Sequence, residues 1–168
     1  MIKLLSLFSG IGAFEKAMDR CGIPYELVNY CEIDKYASKA YSLIHNVDES
    51  MNLGDITKVD ASKLGEVDMI TYGFPCQDIS IAGKQKDFAD ENGERTRSGL
   101  FFEALRIIEA TKPRIAIAEN VKALTMKKFK AEFGIVLQSL EDAGNSIVVD
   151  VLEAIYGNMK CYLGDEKR

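Results

Sequence analysis

A glycine pair set between an apolar run and a helical pattern constrains this chain more than any other feature. Residues 2–8 are apolar and β-compatible, and Ser9-Gly10-Ile11-Gly12 breaks that run sharply. Helical spacing then begins over residues 13–21, with Phe14, Ala17, Met18 and Cys21 on one face, and it stops at Gly22-Ile23-Pro24. Strand, glycine turn and helix in this order open a nucleotide-binding α/β unit. The glycines let the backbone turn tightly beside a ligand, and the new helix points its N–H groups at the same place. Residues 26–31 read as a second strand ending in Glu32-Ile33-Asp34. An acid about 20 residues beyond the glycines suits a grip on ribose hydroxyls, while Asp34 also suits the N-cap of a helix over residues 35–45. The two roles divide naturally, Glu32 on the ribose and Asp34 on the cap.

The rest of the chain keeps the alternation. Asn52-Leu53-Gly54-Asp55-Ile56-Thr57 is a short strand-to-turn segment, in which Asp55 is either a turn aspartate or an acceptor for an adenine amino group. A loop or helical turn over residues 61–65 leads to a buried strand, 67–71, and then to Gly73-Phe74-Pro75-Cys76-Gln77. Residues 77–97 have little hydrophobic periodicity, and a loop of about 20 residues inside a small domain is usually functional. A helix is expected over 98–111, a strand over 114–118 ending at Glu119-Asn120-Val121, a helix over 131–143 and a last β-rich run over 147–154. No repeat or interdomain linker interrupts the series. The expected fold is a doubly wound α/β sheet, mostly parallel.

Composition narrows the chemistry. With 168 residues, 47% hydrophobic and 28% charged, the chain suits one globular domain and not a disordered segment. No stretch approaches a membrane span and no small-residue cleavage site follows the first apolar run, so a cytoplasmic protein without a membrane partner is expected. Cys21, Cys31, Cys76 and Cys161 lack CxxC spacing, which argues against a zinc site or a disulfide framework. His45 is the only histidine, so neither a histidine-based triad nor a multi-histidine metal site can form, and no metal is expected. It reads as a partly exposed side chain late in a helix. The net charge of −5 gives no basic footprint for nucleic acid. Lys122, Lys127, Lys128 and Lys130, and the interleaved Lys84, Lys86, Arg95 and Arg97, read first as solvated surface.

Taken together, Phe8-Ser9-Gly10-Ile11-Gly12, Glu32-Ile33-Asp34, Gly54-Asp55-Ile56, Gly73-Phe74-Pro75-Cys76-Gln77 and Glu119-Asn120-Val121 resemble, in order and spacing, the DNA (cytosine-5)-methyltransferases. The resemblance runs from about Leu4 to Val121 and more loosely to about Ala154. It implies a Rossmann-like fold that uses S-adenosylmethionine, in a bacterial or phage enzyme of the restriction-modification kind that acts on a flipped cytosine in double-stranded DNA. By position it implies that Phe8, Ser9, Gly10 and Gly12 line the cofactor, that Glu32 binds its ribose, and that Ile33 packs on its adenine. Asp55 would take the adenine amino group, with Ile56 and Phe74 alongside. Cys76 would be the nucleophile and Glu119 the acid that engages the base. The loop from Gln77 would close over the DNA, with Gln77, Ser80 and Lys84 as contacts, although plain surface exposure explains Ser80 and Lys84 as well.

These roles make chemical sense. Carbon 5 of cytosine is a poor nucleophile until a thiolate adds to carbon 6 and leaves an enamine, and cysteine can both add and leave. A carboxyl at the rim of a desolvated pocket, protonated or sharing a proton with ring nitrogen 3, would relieve the charge that builds on the ring.

The chain also departs from the pattern. Ser6 stands where many such enzymes carry an aspartate. Past Ala154 there is no Gln-x-Arg-x-Arg segment and no target-recognition region, so the expected division is an incomplete catalytic domain over 1–154 and a divergent tail over 155–168. The last strand of the sheet is expected to be missing, which would leave the strand at 114–118 with an open, hydrophobic edge. A shortened gene, one half of a split enzyme with a complementing C-terminal chain, and a deliberate fragment all fit. So do three functions: the DNA enzyme lacking its remainder, an inactive cofactor- or partner-binding remnant, and a tRNA cytosine-5 methyltransferase.

Overall fold

The computed structural model describes residues 1–74, 99–120 and 130–144. Within them lie four strands, β1 (Ile2–Leu7), β2 (Tyr25–Cys31), β3 (Met69–Tyr72) and β4 (Ile115–Ala118). Four α-helices alternate with them: α1 (Ala13–Arg20), α2 (Lys35–His45), α3 (Gly99–Thr111) and α4 (Lys130–Asp142). The expected run over 147–154 lies outside the described residues.

The strands form one parallel sheet in the order β2-β1-β3-β4. The chain steps from β1 to β2 on one side and later returns to β3 on the other. That reversal places a crevice beyond the carboxyl ends of β1 and β3, which is where open α/β sheets bind ligands. Among the described residues β4 closes the sheet, and Ile115 on it is 48% exposed.

Alternation along the central strands feeds two cores. Leu5, Leu7, Ile70 and Tyr72 face Phe101, Ala104, Ile107 and Ile108 of α3 and Val136 and Leu140 of α4. On the opposite face Leu4 and Met69 pack with Met18 of α1. Strands covered on both faces must be apolar almost throughout, and β3 is buried at all its positions. Ser6 and Thr71 are the polar exceptions, each about 1% exposed, and Thr71 Oγ1 donates to Ser6 Oγ at 3.5 Å. The position where many such enzymes carry an aspartate is therefore a dry one here, and serine fits it with a neutral partner.

Helix α1 differs from the sequence expectation. Its buried residues are Glu15 and Met18, while Ala17 and Cys21 are exposed and Phe14 is half-buried. The acid can face inward because Tyr41 Oη donates to Glu15 Oε1 at 2.8 Å. The helix ends in a Schellman motif, with Ile23 N donating to Met18 O and Gly22 N to Asp19 O. Helix α2 keeps its predicted bounds, and Asp34 caps it by accepting from Tyr36 N and Ala37 N at 2.8 and 2.9 Å.

Between α2 and β3 the chain makes short 3-10 turns, each started by an aspartate, and the predicted strand-to-turn segment reduces to a single bridge between Tyr30 and Asn52. Arg106 of α3 ties this region down. It donates to the carbonyls of Val59 and Ile56 at 3.0 and 3.2 Å and pairs with Glu103 at 2.8 Å. No helix among the described residues is long and apolar enough to cross a membrane.

Candidate active site

The turn after β1 is built from the backbone outward. Phe8 has φ 53° and Gly10 φ 55°, so the chain reverses within three residues of the strand. A bulky residue in the left-handed region costs on the order of 1 kcal/mol or more, and such outliers concentrate at functional sites. The turn is held by the end of β2. Ser9 Oγ donates to Cys31 O at 3.0 Å and accepts from Cys31 N at 3.2 Å, while Gly10 N donates to Glu32 Oε2 at 2.8 Å. Gly12, at φ 82°, starts α1, and any side chain there would collide with the ring of His45.

Glu32 is fixed from several directions. Its Oε1 accepts from Asp34 N at 2.8 Å, and its own backbone is clasped by Asn52, whose Oδ1 accepts from Glu32 N and whose Nδ2 donates to Glu32 O. Asn52 also accepts from Gly54 N and donates to Ser38 Oγ, so this one amide registers the end of β2 against the Gly54-Asp55 turn. Sequence reasoning missed Asn52. Its only signal was an amide placed just before Leu-Gly-Asp, and nothing local says that it reaches back to β2.

Asp55 caps the 3-10 turn that follows it. Its Oδ1 accepts from Thr57 Oγ1 and Thr57 N at 2.8 and 3.0 Å, and these bonds hold its carboxyl below the usual carboxylate range. Ile56 and Phe74 are each 5% exposed, and the Phe74 ring lies 5.2 Å from that of Phe101. Both side chains serve as the floor of the region. Ile33 does the reverse, with 75% of its apolar side chain exposed beside Glu32.

The ends of β3 and β4 meet next. Glu119 N donates to Tyr72 O at 2.8 Å, and Asn120 Nδ2 donates to Phe74 O at 3.1 Å. A side chain at Gly73 would bring its Cβ to 3.1 Å from Glu119 Oε2, so glycine is what permits the approach. Glu119 therefore stands beside the backbone that leads into Pro75 and Cys76. Cys76, Gln77, Ser80 and Lys84 lie outside the described residues. Of the thiols that are described, Cys31 is buried, burial pushes it up to about 12, and its Sγ donates to Gly54 O. It is a structural thiol. Cys21 is exposed at the C-cap of α1.

The structure thus brings Phe8, Ser9, Gly10, Glu32, Asp55, Phe74 and Glu119 to the carboxyl ends of one parallel sheet, around its switch point. The sequence profile of C-5 cytosine-specific DNA methylases matches residues 2–160. The chain belongs to that family. Among relatives, the orphan methyltransferase M.Rho11sI of Bacillus phage rho11s is 42% identical over 158 residues, covering 94% of this chain and 30% of its own length. The type II methyltransferase M.HhaI of Haemophilus parahaemolyticus is 36% identical over 157 residues, covering 93% of this chain and 45% of its own. The methylase chain here therefore spans less than half the length of either relative. A solved structure of S. pombe Dnmt2 methyltransferase superposes with a TM-score of 0.59 at 24% identity, over 82% of this chain and 42% of that one. A DNA modification methyltransferase encoded in an E. coli prophage gives a TM-score of 0.62 at 18% identity, over 84% and 38%. These two likenesses establish the fold, the Rossmann-like arrangement of methyltransferases.

Proposed function

We propose that this chain is the cofactor-binding and nucleophile-bearing part of a DNA cytosine-5 methyltransferase, acting together with further sequence of the kind its relatives carry. The observation that carries the reading is the joining of β3 and β4 at their carboxyl ends. Glu119 is held against the Gly73-Phe74 backbone, which runs directly into a Pro-Cys pair, in a chain of this family.

The residues present suit S-adenosylmethionine. Ile33 offers exposed apolar surface for a flat base beside the Glu32 carboxylate, which can accept from ribose hydroxyls. The space over Gly10 is open, with no atom within 4 Å of where a Cβ would stand. When bound, the cofactor would supply an electrophilic sulfonium methyl group. The chain's own task is to prepare the base. Cys76 as thiolate adds to carbon 6 of a cytosine flipped out of the duplex and gives carbon 5 enamine character, and once carbon 5 has taken up the methyl group that the cofactor would supply, loss of the carbon 5 proton lets the thiolate leave. Glu119, exposed in the free chain, engages ring nitrogen 3 and shares a proton with it as charge develops. The bound base itself supplies the desolvation that this sharing needs. Gln77, Ser80 and Lys84 would contact the DNA as the segment after Cys76 closes over it.

Isothermal calorimetry with S-adenosylmethionine tests the cofactor half of the reading. The unmodified chain is expected to bind. Glu32→Ala should weaken binding by about 10- to 100-fold, the value of a charge-assisted hydrogen bond lost from a ligand. An affinity unchanged by Glu32→Ala would remove Glu32 from the site.

A further inference from the structure

The glycine turn is held from one side by Ser9 and Glu32, and from the other by a residue with no assigned part. His45 ends α2, and its Nε2 lies 3.1 Å from Ile11 O. A Cβ on Gly12 would come within 2.0 Å of that same nitrogen, so the imidazole rests directly on the backbone of Gly12. A carbonyl accepts, so Nε2 is the nitrogen that donates to it. Nδ1 is buried and has no hydrogen-bond partner among the described residues, so the bond to Ile11 is the ring's polar anchor there.

The ring is aimed by its neighbours. Tyr41, one turn earlier on α2, stacks on Tyr30 with centroids 4.1 Å apart, and its ring lies 4.5 Å from that of His45. Its hydroxyl is donated to Glu15, one turn into α1 from Gly12. The series Glu15, Tyr41, His45, Ile11 therefore starts and ends at the front of α1 and passes through α2. Beside it is a cavity of about 360 Å³ bordered by Tyr25, Leu27, Tyr41, His45 and Val47. Packing does not close in on the imidazole from that side. Tyr41 and the Ile11 carbonyl hold it from the other sides.

We infer that His45 is a positioning residue: it fixes the Ile11-Gly12 backbone, and through it the glycine turn, in the shape that receives the cofactor. This rests on the proposal that the turn is the cofactor's binding site. Its signature is separable from a stabilising role. The free turn must hold its left-handed residues in place before a ligand arrives, and a turn that samples other shapes binds more weakly in proportion to the fraction competent. The half-exposed ring at the edge of a cavity contributes little to global stability by comparison.

The test is calorimetric titration of the full 168-residue chain with S-adenosylmethionine, alongside thermal unfolding of the same samples. His45→Leu, similar in bulk but without a donor, is expected to weaken binding about fivefold to tenfold, as for loss of one ordering hydrogen bond. Its unfolding midpoint should stay within a few degrees of the parent. His45→Gln, whose amide nitrogen reaches to about where Nε2 stands, should bind within about twofold of the parent. Equal binding by His45→Leu and the parent overturns the positioning role alone. Equal weakening by His45→Leu and His45→Gln, with both midpoints lowered, overturns it in favour of plain packing. Failure of the unmodified chain to bind overturns the cofactor reading, and this inference with it.

Discussion

Cys76→Ala is expected to reduce cytosine methylation by more than about 10³-fold, as removal of an obligatory nucleophile does. The assay joins the chain to the C-terminal remainder of M.Rho11sI and follows methyl transfer to duplex DNA. The size of the loss follows from the lack of a substitute among the described residues. Cys31, at the end of β2, is 2% exposed, and burial pushes its thiol up to about 12. Cys21 lies at the C-terminal end of α1, away from the glycine turn that begins that helix. Neither described thiol can take over. Glu119→Gln should cost less, about 10²- to 10⁴-fold, because it removes proton sharing and leaves the covalent step available. A Cys76→Ala protein that retains a tenth of the parent rate would exclude the thiol mechanism.

Tyr41→Ala is expected to destabilise the fold by about 4 kcal/mol in urea titrations, within the range for truncating a buried aromatic residue. Tyr41 is fully buried, stacked on Tyr30, and donates to Glu15 Oε1, while Glu15 Oε2 has no hydrogen-bond partner among the described residues. Burial and the adjacent Glu15 push the Tyr41 hydroxyl well above the ordinary tyrosine range, so it remains a donor at any working pH. Two milder variants separate packing from polarity. Tyr41→Phe keeps the ring and should cost about 1–3 kcal/mol by leaving a buried acid unbonded. Adding Glu15→Leu to Tyr41→Phe should recover most of that, because removing both partners leaves no polar atom to satisfy. If the double variant is less stable than Tyr41→Phe alone, the hydrogen bond is not what places Glu15 inside.

What the sequence could reveal follows from where the physics is local. A glycine turn between a strand and a helix, an aspartate cap and an acid at the end of β2 are written in adjacent residues. The elements they define were found within a residue or two, from β1 through α4. The inward face of α1 was not legible, since a charged residue argues for the outside until Tyr41, from another helix, is known to meet it. Asn52 and His45 escaped for the same reason. Each acts on backbone 20 or more residues away, on Glu32 and on Ile11 respectively, and side chain-to-backbone bonds of that kind leave no periodic trace. Ile56 and Phe74 were recognisable as part of the region from their motifs, but not that their side chains point into the core. Glu119 was legible by position. Its closeness to Gly73 depends on β3 and β4 being neighbours, which the sheet order supplies.

The central claim is that Cys76 attacks cytosine in a site whose cofactor floor is the Phe8–Gly12 turn. Incubation of the fused protein with S-adenosylmethionine and a duplex carrying 5-fluorocytosine at its target tests this most directly. Fluorine cannot leave as a proton would, so the thiolate that has added to carbon 6 stays bound. Intact-mass analysis is expected to show one protein–DNA adduct, mapped to the peptide containing Cys76, that requires the cofactor and disappears in Cys76→Ala. The absence of an adduct from the unmodified protein, or an adduct that survives Cys76→Ala, would contradict the account.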